Sequence, residues 1–167
     1  AHRDALHDVL GARYVMYGEW LYAAHTVYYD RLPHYFVEFD VLDTERDAFL
    51  STARRRELLA GTPVVSAPVL AERSFGDVDE LTTLVGPSTA IGPDHLAALD
   101  AACHARGLDP QRTRRQTDPS GLMEGLYLKE EAGGVVTARY KWVRHGFLQV
   151  VDLAEGHWLD RPVIANR

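Results

Sequence analysis

RYVMYGEW (Arg13–Trp20) and YFVEFDVL (Tyr35–Leu42) decide how the first third of this chain is read. Both are dense in aromatic and β-branched residues, which suit a pleated, half-buried surface. The second alternates apolar and polar positions at the period of a strand. Asp30-Arg-Leu-Pro33 lies between them as a turn. A matching pair closes the sequence: Leu122–Glu131 and Val135–Val143 are strand-like, and Ala132-Gly-Gly134 makes the hairpin turn.

The middle reads differently. Residues 4–10 form the end of a helix, with Leu6, Val9 and Leu10 at helical spacing and Gly11 as its stop. Ser51 opens a helical stretch running to about Leu59, closed by Gly61 and Pro63. Val64–Leu70 is expected as a short buried strand, and Asp77–Val85 as a helix with Asp77 as its N-cap. The plainest helix is Pro93–Arg106, with Leu96, Leu99 and Ala102 on one face and Gly107 at its end. Residues 108–121 have the chemistry of an exposed basic loop. From Arg144 onward the pattern weakens into an irregular tail, HWLDRPVIANR. Strands early, helices in the middle and strands late predict an α+β class with mostly antiparallel sheets, built as a single domain over 1–167.

The chain has 167 residues, 46% hydrophobic and 25% charged, which excludes disorder and fibrous architectures. No apolar run approaches the ~18 residues that cross a bilayer, so no membrane partner and a cytoplasmic, soluble protein are expected. Cys103 is the sole cysteine, which excludes an internal disulfide framework and a cysteine-based zinc cluster. It sits among alanines in the plainest helix, as a small core residue. The net charge of −6 argues against a broadly basic nucleic-acid coat, though not against a local basic groove. There are 16 Arg and only two Lys, Lys129 and Lys141.

Four short segments carry chemistry. Each has an ordinary structural reading as well. Tyr17-Gly-Glu-Trp20 places Glu19 on a strand beside Gly18, where backbone approaches something closely; it suits a ribose or metal contact, or is a solvent-facing glutamate. Phe36-Val-Glu-Phe-Asp40 offers Phe36 and Phe39 as core rings or as a base-stacking platform. Met123-Glu-Gly-Leu-Tyr-Leu-Lys129 pairs Glu124 with a glycine, an arrangement that can present carboxylate oxygen to a divalent cation. Under strict alternation Glu124 and Lys129 point to opposite faces. Arg139-Tyr-Lys141 puts two cations on one strand face, which is unfavourable unless an anion lies between them. A phosphate is the obvious guest. Lysine offers a compact point charge where arginine offers a planar fork, so its retention at 129 and 141 fits a contact of restricted size.

Other signals are absent. The eight His residues lack HExxH or comparable spacing, and His25, His34 and His157 read as satisfied or surface histidines. No GxSxG, GxGxxG or GxxxxGK[ST] occurs. Arg54–Arg56 and Arg112, Arg114 and Arg115 read as solvated faces that could also touch a phosphate backbone.

In order, YGEWLY, YFVEFDVLD, MEGLYLKEE and RYKWVR resemble motifs III, IIIa, IV and V of the covalent nucleotidyltransferase superfamily of polynucleotide ligases and capping enzymes. GEWLYAAHTVYYDRLPHYFVEFDVLD, TDPSGLMEGLYLK and HWLDRPVIAN resemble ATP-dependent RNA ligases most closely, and the resemblance covers residues 13–166. It implies a ligase adenylation domain that uses ATP, carries AMP covalently, and requires Mg2+ or Mn2+. Glu19 matches the motif III glutamate near ribose and metal. Phe39 matches the adenine-stacking aromatic of motif IIIa, with Phe36 in reserve. Glu124 matches the motif IV glutamate that supports the cation. Lys141 matches the motif V lysine on the α-phosphate, with Arg139 at the preceding basic position. Lys129 completes motif IV at the nucleotide site. Such cations offset charge that builds on the α-phosphate as pyrophosphate leaves.

The resemblance has one break. The family's first motif, KxDG, carries the lysine that becomes lysyl-AMP, and neither Lys129 nor Lys141 stands in that pattern. The chain begins with Ala1 just upstream of motif III, so it is expected to be the larger C-terminal part of an N-terminally incomplete adenylation domain. The nucleophile would then lie on a missing N-terminal segment, which becomes a partner of this chain. The implied activity is sealing of RNA ends, 5′-phosphate to 3′-hydroxyl, as in RNA repair, with self-adenylylation beyond this chain alone. The alternatives are a non-catalytic nucleotide- or RNA-binding module, and a DNA ligase of the same superfamily.

Overall fold

The computed structural model describes residues 2–153 and 162–167; His157 and its HWLDR neighbours in the closing stretch lie outside the described residues. Along the chain the elements are α1 (His2–Leu10), β1 (Tyr14–Trp20), β2 (Phe36–Asp43), β3 (Ala48–Phe49), α2 (Thr52–Leu59), β4 (Val65–Ser66), α3 (Val78–Thr82), α4 (His95–Ala105), α5 (Pro110–Arg115), β5 (Gly125–Ala132), β6 (Val135–Val143) and α6 (His145–Leu153). The class is α+β, as the order of patterns predicts. The β1–β2 and β2–β3 pairings are antiparallel, and β4 joins β2 in parallel. The chain divides into two compact units.

The first unit comprises residues up to Trp20, Phe36–Pro68 and Tyr127–Lys141. Its central strand is β2, paired with β1 along one edge and with β3 and β4 on the other. Tyr17 pairs with Asp40 and Gly18 with Glu38, so Phe39 is skipped in the register and forms a β-bulge. A bulge bends the strand and re-aims its side chains. Strict alternation would give Glu38 and Asp40 the same surroundings; with the bulge between them they meet different partners. Gly18 is required because the ring of Phe36 and the Val37 carbonyl occupy the space of a Cβ. The close approach expected at Gly18 is therefore to Phe36. Val41, Leu50 and Leu59 form the buried core, covered by Val9, Leu10, Tyr14, Met16, Leu58 and Val64.

Helix α2 is started by its own cap and by the β5–β6 turn. Ser51 Oγ accepts from the Arg54 N–H, the Ser51 N–H donates to Gly134 O at 3.1 Å, and Glu131 Oε1 accepts from the Thr52 N–H at 2.9 Å. A carboxylate there also complements the positive end of the helix. The helix delivers Arg55, 3% exposed, to Glu38, 0% exposed. Ser66 Oγ of β4 donates to the same Glu38 oxygen at 2.7 Å.

The second unit comprises Leu21–Tyr35, Val69–Leu126 and the chain from Trp142 onward. Tyr28, Leu99, Ala102, Cys103 and Ile164 form its core, so Cys103 is the core residue expected. Helix α4 ends as Gly107 predicts, at φ +66. The Leu108 N–H reaches Cys103 O and the Gly107 N–H reaches His104 O, which is the Schellman arrangement.

Five expectations need correction. Arg54–Arg56 are not all on a solvated face, since Arg55 is buried against Glu38. Residues 108–121 are not an exposed loop: Asp109 caps α5 by accepting from the Gln111 N–H, and Thr117 and Asp118 are buried. Residues after Arg144 form α6, whose apolar Phe147, Leu148, Val150 and Val151 were masked by the polar residues around them. The strand expected over 64–70 shrinks to Val65–Ser66, and Val69 and Leu70 are exposed. The helix expected to Val85 ends at Thr82, though Asp77 caps it as predicted. No helix among the described residues is long and apolar enough to cross a membrane.

Breaking a buried ion pair by removing one partner leaves an uncompensated charge. Arg55→Ala is therefore expected to lower unfolding free energy by about 3–5 kcal/mol. Replacing Glu38 and Arg55 together with apolar residues of similar volume should cost far less, as urea unfolding of both variants would check.

Candidate active site

Glu38, Asp40 and Asp43 stand within eight residues of a strand that is otherwise apolar, and all three are buried. Each is there because a cation reaches it. Asp43 is held bidentately by Arg13, at 3.0 and 2.6 Å, and this hydrogen bonding keeps its carboxyl below the usual range despite burial. Glu38 has Arg55. Asp40, 0% exposed, has the β5–β6 hairpin.

Three hairpin side chains converge on Asp40. Lys129 Nζ lies 2.6 Å from Oδ1, Tyr127 Oη donates to Oδ2 at 2.6 Å, and Arg139 Nη1 lies 3.3 Å from Oδ2. Lys129 also donates to Phe39 O at 2.6 Å, so one ammonium fixes both the carboxylate and the backbone of the bulge. Its side chain is only 10% exposed.

Aromatic rings continue this cluster on both sides. Tyr127 meets Phe39 edge to face, with centroids 5.4 Å apart. The Arg139 guanidinium lies 3.9 Å over the Phe49 ring, which in turn packs on Tyr17 at 5.6 Å. The Arg139 guanidinium is held more firmly protonated than usual: burial opposes its charge, but Tyr127 and Asp40 outweigh that. One carboxylate against two cations leaves the cluster net positive, beside a ring able to stack. Such a surface suits a flat base joined to a phosphate.

The predicted residues thus distribute as follows. Glu19, Phe36, Phe39, Lys129, Arg139 and Lys141 belong to the first unit. Glu19 is exposed near the end of β1, opposite Val37. Phe36 packs on Gly18, whereas Phe39 sits at the bulge beside Tyr127. Lys141 is exposed on β6. Arg139 and Lys141 share strand parity, yet the anion beside Arg139 is Asp40, a residue of the same chain.

Glu124 belongs to the second unit and immediately precedes β5. Its carboxylate accepts from Tyr29 Oη at 2.5 Å, and its carbonyl accepts from the Arg144 N–H at 2.9 Å. Arg144 Nε donates to Met123 O, and its guanidinium also pairs with Asp118. Gly125 is required next to it: a Cβ there would collide with the Trp142 carbonyl. Among the described residues no group of three His, Cys, Asp or Glu side chains could hold a metal ion. Glu19 and Glu124 are single carboxylates. A lone carboxylate of this kind fits a hard cation that completes its shell with water and phosphate oxygens.

Asp40, Tyr127 and Tyr29 make contacts the sequence did not announce. A signal existed in FVEFDVLD, where three acids in one strand demand three cations from elsewhere.

The Tyr127 hydroxyl is pushed up to about 12 from an ordinary 10.0, by burial first and then by its hydrogen bond to Asp40 and that residue's charge. Because the folded value lies above the unfolded one, the contribution of the neutral phenol is intact below about pH 10 and lost as pH rises toward 12. Tyr127→Phe should remove a late-ionising component from an ultraviolet difference titration. It should also flatten the fall in stability over that window.

A family model described as RNA ligase matches residues 1–143. No curated protein and no solved structure matches the chain. The matched span takes in β1, β2 and the β5–β6 hairpin, the elements that build the Asp40 cluster. This chain belongs to the RNA ligase family.

Proposed function

We propose that the chain serves an ATP-dependent RNA ligase that joins a 5′-phosphate to a 3′-hydroxyl through lysyl-AMP and adenylylated RNA. The nucleophilic lysine is neither of the two in these 167 residues. The observation that carries this reading is the cluster on Asp40: a buried carboxylate gathering Lys129, Arg139 and Tyr127 beside Phe39. Lys129 is committed to Asp40 and to the Phe39 carbonyl. An amine engaged in that way holds structure and is not poised to attack phosphorus.

The roles divide by chemistry. A lysine amine attacks the α-phosphorus of ATP and pyrophosphate leaves. The 5′-phosphate oxygen of RNA then attacks the AMP phosphorus and the amine departs. In the last step the 3′-hydroxyl attacks the 5′-phosphate phosphorus, loses its proton, and AMP leaves. Phe39 stacks on adenine, with Tyr127 buttressing it. Lys141 contacts the α-phosphate and offsets its growing charge. Arg139, tied to Asp40, supplies the positive field behind it. Glu19 lies toward the ribose and, like Glu124 in its own unit, would offer its carboxylate to Mg2+ or Mn2+, which neutralises phosphate oxygens when bound.

The lysine count also supports a second reading, a module that binds nucleotide or RNA without turnover. Two measurements separate them. The isolated chain should take up no label from α-labelled ATP in a form stable to denaturation. It should still seal a pre-adenylylated 5′ end onto a 3′-hydroxyl, because that step needs no lysine nucleophile. Glu124→Gln and Lys141→Ala should each slow that sealing on the order of 100-fold. Binding of the adenylylated strand with no product at high protein concentration would favour the non-catalytic module.

A further inference from the structure

Tyr29 lies in the segment between motifs III and IIIa, and none of the roles above uses it. Its side chain nonetheless ends on the motif IV glutamate, with Oη donating to Glu124 Oε1 at 2.5 Å. Both ends of that contact are built on fixed backbone. The Tyr29 N–H donates to Asn166 Oδ1 at 2.9 Å, and the Tyr29 carbonyl accepts from the Arg167 N–H at 2.8 Å. Asn166 is 1% exposed and is itself fastened at every polar group. Its Nδ2 donates to Leu21 O at 2.8 Å, its N–H to Tyr22 O at 2.8 Å, and its carbonyl accepts from Tyr35 Oη at 3.0 Å. On the other side, Arg144 fixes Glu124 O and Met123 O, and the Met123 N–H donates to Gly86 O at 2.9 Å.

We propose that Tyr29, clamped by Asn166, is the positioning residue for Glu124, setting the orientation in which that carboxylate receives a divalent cation. The proposal rests on the reading of Glu124 as a metal-binding carboxylate. A phenol has two side-chain torsions and a rigid ring, so a tyrosine fixed at its backbone sets the position of its hydroxyl closely. A donor at a fixed point selects one rotamer and one plane for the flexible glutamate it meets. Carboxylates that bind metal depend on such outer partners, and losing one typically weakens metal affinity about 10- to 100-fold. Tyr29→Phe removes the hydroxyl alone. The clamp to Asn166 and Arg167 runs through backbone atoms and survives.

The experiment is a titration of the full chain with Mn2+ alone, followed by water-proton relaxation, with melting temperatures recorded in parallel. Glu124→Gln should abolish the Glu124-dependent binding. Tyr29→Phe should weaken it about tenfold with little change in melting temperature. Tyr35→Phe removes a hydroxyl from the same clamp without touching Glu124, and it should leave Mn2+ affinity at the wild-type value. If Tyr29→Phe folds poorly, Tyr29→Met, which likewise keeps the backbone clamp and removes the donor, takes its place with the same expectation. Wild-type affinity in the Tyr29 variant, alongside loss in Glu124→Gln, overturns the positioning role and leaves the metal reading standing. Equal loss in the Tyr29 and Tyr35 variants also overturns it, by showing that the clamp acts through folding. Unchanged binding in Glu124→Gln overturns the metal reading, and the positioning role with it.

Discussion

Asp40 is the constraint from which the first unit follows. A carboxylate buried on a central strand costs several kcal/mol unless cations and donors meet it. Those groups come from Tyr127, Lys129 and Arg139, so the β5–β6 hairpin must lie against β2. With the hairpin in place, its turn presents Gly134 O and Glu131 to the start of α2. The helix in turn brings Arg55 to Glu38, two residues before Asp40 on the same strand. The loop of dependence closes on β2. Removing either carboxylate's partner therefore loosens the element that carries the other.

Much of this was legible in the sequence, and the failures have physical causes. The strands and the end of α4 were readable because aromatic spacing, Gly107 and the double-glycine turn are local signals. α5 was not, because a six-residue helix opened by Asp-Pro resembles a turn until its cap forms. The terminal α6 was missed because its polar flanks hide its apolar face. The bulge at Phe39 was invisible for a deeper reason. It is a property of the pairing between two strands, and the residues of one strand alone do not encode the skip. Asp40 went unread in the same way: its partners lie 87 to 99 residues downstream.

The scarcity of lysine acquires a local explanation at Lys129. That side chain is nearly buried and meets two separate groups, the Asp40 carboxylate as an ion pair and the Phe39 carbonyl as a hydrogen-bond acceptor. An ammonium carries three donors around one compact atom and can serve both. A planar guanidinium needs acceptors spread across its fork and more room. Arg139, at the more open side of the same carboxylate, instead spreads its plane over Phe49. One carboxylate thus selects two different cations by the space available on either side. Retention of lysine at position 129 follows from packing, and does not require direct contact with a phosphate.

The two units hold these carboxylates by different means, and this difference has consequences for pH. In the first unit Asp43 depends on charge, with its carboxyl depressed chiefly by the hydrogen bond from Arg13. A group whose folded pKa is depressed contributes stability above its ordinary range, and that contribution is lost as pH falls through the folded value. In the second unit Glu124 is reached by a phenol, and the tyrosine carrying it is fixed by an amide, Asn166, neither of which titrates in acid. The segment bearing Tyr29 is anchored by backbone and amide hydrogen bonds over the apolar contacts of Tyr28, Leu99 and Ile164. Protonation of Asp43 therefore releases the Arg13 contact on β2 only at the acid extreme. The frame around Glu124 combines these neutral donors with one ion pair, Arg144 to Asp118, so the second unit also keeps a contact that acid removes.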